Sequence, residues 1–234
     1  MPELFDNTHR ALKKYEAELL AVQTTAVAYP LQDGTQQSTT QTLYSPFGPL
    51  IAKSTIPQHL LESLNHYIDQ TLATKTHSVQ GAEFMAPDAI VSTGDKASLG
   101  FYLAQQILAY ATAVEGRPAT GVEFDALWAV SQFEGAPSPV HFHSTDISGV
   151  FYLRVPQLDE VRAGEQDKNY IGGRQAGYLN FLSGGKQAFS KSLLSVKPVV
   201  GELYIFPGWL LHGVEAFAGS GERRSIAFNA NVSW

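Results

Sequence analysis

The chain has 234 residues, of which 44% are hydrophobic and 16% charged, a composition typical of a folded protein rather than a disordered one. Its 16 Lys and Arg against 22 Asp and Glu give a formal net charge of -6, which argues against a nucleic-acid-binding protein because phosphate binding needs an excess of positive charge. Cysteine is absent, so disulfides, thiolate zinc sites, iron–sulfur clusters and cysteine nucleophiles are excluded. Any metal site must therefore use His, Asp or Glu.

The N-terminal half is expected to be mainly helical. Apolar residues at helical spacing predict a helix over residues 8–22, a second helix that begins at Pro57, and a third over about 97–114. The polar stretch 32–42 between the first two is interpreted as a loop. The first residues are charged and lack the apolar run of a signal peptide, and no stretch is long and apolar enough to span a membrane, so we expect a cytoplasmic protein.

After Gly116 the sequence changes to short β-like runs separated by Gly and Pro. Strands are predicted at 126–133, 147–155, 178–182, 193–196, 202–206, 210–217 and 223–232. We predict a single domain over residues 1–234 of α+β class, mainly β, in which a helical part up to about residue 116 packs outside a barrel or sandwich over about 122–232. The polar segment 157–175 is expected to be a mobile lid beside the barrel mouth.

Three of the seven histidines lie on or beside predicted strands and indicate a metal site. His141 and His143 are two residues apart, so in an extended segment both imidazoles point to the same face. His212 lies on a much later strand, and a closed barrel brings strands distant in sequence together. An H-x-H pair alone is a weak signal. The pair with a remote strand histidine, and with Arg223 eleven residues after it, is more specific.

Further motifs follow the two histidines in a fixed order. His141-Phe142-His143 is followed by SGVFYL, then GELYIFPGWLLHGV, then ERRSIAFN. This order resembles the iron(II)/2-oxoglutarate-dependent oxygenase superfamily, and within it is similar to a bacterial and phage group of such oxygenases. The resemblance covers residues 128–231. It implies a double-stranded β-helix, a jelly roll of the cupin type, with iron at its open end. It also implies a dioxygenase that uses O2 to hydroxylate a substrate while 2-oxoglutarate is decarboxylated to succinate.

The ligand motif departs from the superfamily at one position. The usual triad is His-x-Asp/Glu with a distant His, but here His143 occupies the carboxylate slot and the nearest carboxylate is Asp146. A carboxylate offsets part of the charge of Fe(II), whereas three neutral imidazoles do not. We interpret His141, His143 and His212 as the metal ligands, with Asp146 as the alternative to His143.

The resemblance also implies residues that bind 2-oxoglutarate. Tyr152 and Ser148 share one face of a predicted strand, and the tyrosine hydroxyl would donate a hydrogen bond to a carboxylate. Arg223 occupies the position of the family's arginine and alternates with small residues suited to a pocket, whereas Arg224 alternates with bulky apolar residues suited to packing on helices. We therefore expect Arg223 to bind a carboxylate of 2-oxoglutarate, from a strand that forms a hairpin with the strand of His212.

Trp128, Gln132 and Trp209 flank the motif strands and are expected to line the substrate pocket. The substrate is expected to be a small molecule or a protein side chain. Two other classes stay open: a cupin-like metal-binding protein or three-His dioxygenase that does not use 2-oxoglutarate, and a binding module whose histidines carry no metal.

Overall fold

The computed structural model describes residues 23–30, 36–44, 48–74, 81–85, 98–136, 138–158, 177–185 and 192–234. Within these ranges the elements in chain order are β1 Gln23–Pro30, β2 Gln36–Tyr44, β3 Ile51–Thr55, α1 Gln58–Thr74, β4 Gly81–Met85, α2 Leu99–Glu115, β5 Gly121–Gln132, β6 Ser138–His141, β7 Ile147–Arg154, β8 Gln157–Leu158, β9 Leu179–Leu182, β10 Leu193–Val196, β11 Glu202–Pro207, β12 Leu211–Val214, β13 Gly219–Ser220 and β14 Arg223–Ser233.

Most of these strands form two antiparallel sheets. The larger sheet has eight strands in the order β1-β2-β3-β11-β7-β14-β5-β4, and the smaller has four in the order β10-β9-β12-β6. Apolar residues of both sheets meet in one cluster, in which Leu179 and Phe181 of the small sheet pack with Tyr152, Tyr204 and Phe206 of the large sheet. Sequential strands cross between the sheets, as they do in a jelly roll. The predicted mainly β fold is confirmed.

The two helices cover the other face of the large sheet. Leu60, Leu61, Leu64 and Ile68 form the buried stripe of α1 and pack with α2 against residues of β5, β7, β11 and β14. Helix α2 begins at a capping serine, Ser98, whose hydroxyl accepts a hydrogen bond from the backbone of Phe101 at 3.1 Å. The prediction that helices pack outside the barrel is therefore correct for both.

Alternation along β7 separates the two cores. Phe151 and Leu153 point to the helices, whereas Val150 and Tyr152 point to the small sheet. Successive side chains of a strand point to opposite faces. Every second residue of β7 and β14 therefore faces the space between the sheets, where it can belong to a site.

The prediction that the helices precede all the strands in the chain is wrong. Residues 36–42, interpreted as a loop, belong to β2, and β1, β3 and β4 also lie within the part expected to be helical. Strand β2 is rich in threonine, which suits a strand, but it lacks the apolar alternation that would predict one. It forms antiparallel hairpins with its neighbours in the chain, β1 and β3. The predicted helix 8–22 and most of the predicted lid, 159–175, lie outside the described residues. No helix in the described ranges is long and apolar enough to cross a membrane.

Candidate metal centre

The three motif histidines meet between the sheets at one end of the fold. His141 ends β6 and pairs with His212 of β12, while the backbone N–H of His143 donates to the carbonyl of Gly208 at 2.9 Å. Gly208 also donates to the carbonyl of Asp146 at 3.0 Å. A Cβ there would lie 2.1 Å from the carbonyl oxygen of Thr145, so glycine is needed for the loop that carries His143 to approach this closely.

The geometry suits a shared metal ion. One ring nitrogen from each of His141, His143 and His212 lies within 4.8 Å of the others, and these three form the group of potential ligands found among the described residues. Their ring centroids are 4.4 to 5.3 Å apart.

Backbone carbonyls fix the tautomers of two of the rings. Nδ1 of His141 donates to the carbonyl of Pro139 at 2.7 Å, and Nδ1 of His212 donates to that of Leu210 at 2.8 Å. A carbonyl oxygen only accepts hydrogen bonds, so Nδ1 carries the proton and Nε2 keeps its lone pair. This is the usual arrangement of a metal-binding histidine with its second partner. In His143, Nδ1 faces the side-chain amide of Asn229 at 3.1 Å.

The environment favours neutral imidazoles. Burial, opposed by the Leu210 carbonyl and assisted by His141 and His143, lowers the pKa of His212 to about 4. Burial also lowers the pKa of His143, as does His141, against the opposing charge of Asp125. A neutral ring is the form that binds a metal.

Asp146, the alternative ligand, is used elsewhere. Its Oδ2 accepts a hydrogen bond from the backbone of Val232 at 3.0 Å, and its own N–H donates to Oδ1 of Asn231 at 3.3 Å. The carboxylate therefore joins the loop after β6 to the end of β14, and it is not part of the three-histidine group.

A pocket of about 250 Å³ extends from the histidines between the sheets. Its lining includes most of the residues predicted for the site: His141, His143, His212, Arg223, Tyr152, Ser148, Gln132 and Trp128, together with Asn229. Trp209 is not among them and is 58% exposed, so its predicted place in the pocket is not what the structure shows.

Arg223 is a buried cation with neutral partners. Its Nε and Nη2 donate to Oε1 of Gln132 at 3.1 and 2.6 Å, and Nη1 donates to the carbonyl of Glu215 at 3.1 Å. Two longer contacts, 3.4 and 3.5 Å, reach the carbonyls of Gly177 and Ala136. None of the carboxylates in the described ranges forms an ion pair with it. Burial lowers the pKa of Arg223 to about 10, so it stays charged at neutral pH.

The hydroxyl of Tyr152 is a second polar group in the lining of the pocket. The side chain is 1% exposed and its oxygen has no hydrogen-bond partner among the described residues. Burial raises the pKa of Tyr152, which keeps the hydroxyl protonated and a donor. A buried polar atom without a partner calls for an explanation. Ser148 differs, because its hydroxyl donates to Oδ1 of Asn229 at 2.7 Å.

Arg224 lies on the opposite face of β14. It donates to both carboxylate oxygens of Glu222 at 2.7 and 2.9 Å and to Asp69 of α1 at 2.8 Å. The predicted contrast between the two arginines therefore agrees with the structure, but the predicted hairpin is wrong. Strand β14 pairs with β5 and β7, whereas the strand of His212 pairs with β6 and β9.

Comparison with known proteins supports the assignment of this region. Residues 126–229 match the model of a family described as "Putative 2OG-Fe(II) oxygenase". The family resemblance is confirmed. The match spans every residue of the three-histidine group and Arg223, and it indicates an oxidoreductase. No curated protein matches the chain significantly.

Solved structures of low sequence identity share the fold. HygX from Streptomyces hygroscopicus, in a structure with nickel and 2-oxoglutarate bound, is 12% identical with a TM-score of 0.54 and covers 80% of this chain and 83% of its own. A Pseudomonas putida prolyl-4-hydroxylase is 17% identical with a TM-score of 0.50, over 77% of this chain and 92% of its own. The epimerase SnoN from nogalamycin biosynthesis is 12% identical with a TM-score of 0.51, over 77% and 76%. The shared fold is the predicted double-stranded β-helix.

Proposed function

We propose that the chain is an Fe(II)- and 2-oxoglutarate-dependent dioxygenase that hydroxylates a substrate C–H bond. In this reaction one oxygen atom of O2 enters the substrate and the other enters succinate. The four electrons that reduce O2 come in equal parts from the C–H bond and from 2-oxoglutarate, which loses CO2. The observation that carries the proposal is one pocket that holds both a three-imidazole cluster and a buried arginine, which has no acidic partner among the described residues. The same metal and cosubstrate are named in the description of the matching family.

The residues divide into two groups. His141, His143 and His212 would bind the metal through their free Nε2 atoms. Arg223 would bind a carboxylate of 2-oxoglutarate, because a buried guanidinium gains most from an anionic partner. Tyr152, whose hydroxyl has no hydrogen-bond partner in the part of the chain that the structure describes, would donate to the same group. The iron would supply the activation of O2.

The size of the pocket bears on the substrate. About 250 Å³ is near the lower end for a small-molecule site. A five-carbon dicarboxylate would occupy much of that space. We therefore expect the substrate, a small molecule or a protein side chain, to present its reacting carbon at the mouth of the pocket.

The set of three histidines also suits a second function, that of a dioxygenase that does not use 2-oxoglutarate. Three neutral histidines without a carboxylate are compatible with a three-His dioxygenase that binds its own substrate in the place of 2-oxoglutarate. In that case Arg223 would bind an anionic group of the substrate, and no succinate would form.

Anaerobic spectroscopy separates the two functions. The metal-free protein is loaded with Fe(II) and titrated with 2-oxoglutarate, and a visible charge-transfer band is expected, because the cosubstrate would bind the metal. The band should be lost in His212→Ala and kept in His66→Ala, a matched substitution of an exposed histidine on α1. Fe(II) binding without any response to 2-oxoglutarate would leave only the alternative, and absence of Fe(II) binding would reject both.

A further inference from the structure

A chain of buried polar groups runs from His143 into the large sheet. Oγ of Ser148 donates to Oδ1 of Asn229 at 2.7 Å, and Nδ2 of Asn229 lies 3.1 Å from Nδ1 of His143. Asn229 is 6% exposed and lies on β14 opposite Ser148 of β7 and Ala126 of β5. Strands on both sides therefore fix the position of the amide.

This orientation of the amide conflicts with metal binding by His143. A neutral imidazole has a single N–H. If the amide nitrogen of Asn229 donates to Nδ1, the ring proton lies on Nε2, and Nε2 then has no lone pair for a metal. His141 and His212 do not have this conflict, because carbonyl oxygens accept their Nδ1 protons.

Exchange of the two ends of the amide resolves the conflict without moving any other heavy atom; only the hydroxyl proton of Ser148 has to turn. The oxygen and nitrogen of an asparagine side chain have nearly the same shape. After the exchange Oδ1 accepts from Nδ1–H of His143, while Nδ2 donates to Oγ of Ser148. The serine hydroxyl serves either arrangement, because it both donates and accepts.

We propose that Asn229 is the positioning residue that makes His143 a metal ligand, by accepting the Nδ1 proton of His143 when the metal is bound. Ser148 acts through Asn229 as its second hydrogen-bond partner, rather than as a contact of 2-oxoglutarate. This inference rests on the proposed metal site. It assigns Asn229 a task that carbonyl groups perform for the other two histidines, and it makes His143 the ligand whose tautomer can change.

The test compares an acceptor with a side chain that cannot accept. Metal-free wild-type protein and variants are titrated with Co(II) under nitrogen. Asn229→Leu keeps the size of the side chain but removes the acceptor, and we expect about a 10- to 100-fold loss of Co(II) affinity, the usual effect of removing the second partner of a ligating histidine. Asn229→Asp can only accept, so its affinity should equal or exceed that of the wild type. Asn231→Leu, two residues along the same strand and directed at the Asp146 loop, is the matched control and should bind as the wild type does.

The outcomes separate this inference from the proposed function. If the wild type does not bind Co(II), the metal site itself is wrong. If the wild type binds and Asn229→Leu binds equally well, or if Asn229→Asp loses as much affinity as Asn229→Leu, only the role of Asn229 is overturned. A second measurement does not need a variant. In 15N-labelled wild-type protein loaded with Zn(II), the ring proton of His143 is expected on Nδ1, and a proton on Nε2 would overturn the inference.

Discussion

Arg223 and Arg224 are neighbours in the sequence, and we predict that replacing each by leucine damages a different property. Arg223→Leu removes the cation that lines the pocket, whereas Arg224→Leu removes a cation that joins β14 to helix α1. The first should weaken 2-oxoglutarate binding, and the second should lower the free energy of unfolding.

The expected loss of 2-oxoglutarate affinity in Arg223→Leu follows from the contacts of Arg223. Loss of a desolvated charge-assisted pair costs about 2–5 kcal/mol of binding. The short bonds of Arg223 go to Gln132 and to the carbonyl of Glu215, and the two contacts at 3.4 and 3.5 Å are the ones a carboxylate would replace. Because the guanidinium is already partly satisfied, we expect the lower part of that range, roughly 2–3 kcal/mol, or about a 30- to 150-fold weaker affinity for 2-oxoglutarate.

The expected loss of unfolding free energy in Arg224→Leu depends on the carboxylates that lose their partner, those of Glu222 and Asp69. Removing one partner of a buried ion pair costs about 3–5 kcal/mol. Glu222 would lose two hydrogen bonds but would keep those from Arg154 at 3.1 Å and from the hydroxyl of Ser131 at 2.6 Å. Asp69 is about half exposed, so its pair with Arg224 adds little. We expect a loss of about 3 kcal/mol in the free energy of unfolding, with 2-oxoglutarate affinity unchanged.

Two assays decide the matter. Calorimetric titration of 2-oxoglutarate into anaerobic Fe(II)-loaded protein gives the affinity, and urea denaturation gives the free energy of unfolding. Wild-type affinity in Arg223→Leu, or a large loss of affinity in a stably folded Arg224→Leu, would refute the reasoning. If Arg224→Leu does not fold, Arg224→Lys keeps the charge and should show the same separation with a smaller stability loss.

Further predictions concern the ligand set, packing and pH. Asp146→Ala should keep the metal measured by elemental analysis and His143→Ala should lose it; loss only in the Asp146 variant would show that Asp146 is the third ligand. Gly149→Ala places a Cβ 2.1 Å from Cζ of Phe228 and should cost about 1–3 kcal/mol or more of unfolding free energy, and an unchanged urea midpoint would contradict this. Burial alone raises the pKa of Asp69, but the hydrogen bonds and charges of Arg224 and then of Arg154 lower it below 3.8 overall. Its ionised form therefore stabilises the fold above pH 3.8, and Asp69→Asn should be less stable than the wild type at pH 7, with the difference vanishing as the pH falls through the folded-state pKa; a constant difference would contradict this.

The strands that carry the site could be predicted from the sequence because their pattern is local. Strand β10 has the predicted bounds, and β7 and β14 differ from prediction by one residue at one end. Strands β1, β2, β3 and β4 were not predicted. Strand β2 pairs with its neighbours in the chain, β1 and β3, but its residues are mostly polar and lack the apolar alternation by which a strand is recognised in a sequence.

Part of the site was also predictable from the sequence. The spacing of His141 and His143 places both rings on one face in any extended segment, and side-chain size placed Arg223 on the pocket face although the hairpin used to relate it to His212 does not exist. The role of Asn229 was not predictable, because it depends on the register that sets Asn229 opposite Ser148 in β7. Register between strands distant in sequence is decided by the assembled sheet.

The charge of the pocket links the ligand set to the choice of cosubstrate. None of its lining residues that the structure describes is an Asp or a Glu. Burial lowers the pKa values of His143 and His212, which favours neutral rings. A divalent metal bound by neutral ligands would therefore keep both charges, and Arg223 would add a third within the same desolvated space. Such a pocket disfavours cations and neutral ligands relative to a dianion, because desolvated charges need compensation. The departure from a carboxylate at His143 thus does not argue against 2-oxoglutarate, since it leaves more positive charge for the cosubstrate to neutralise.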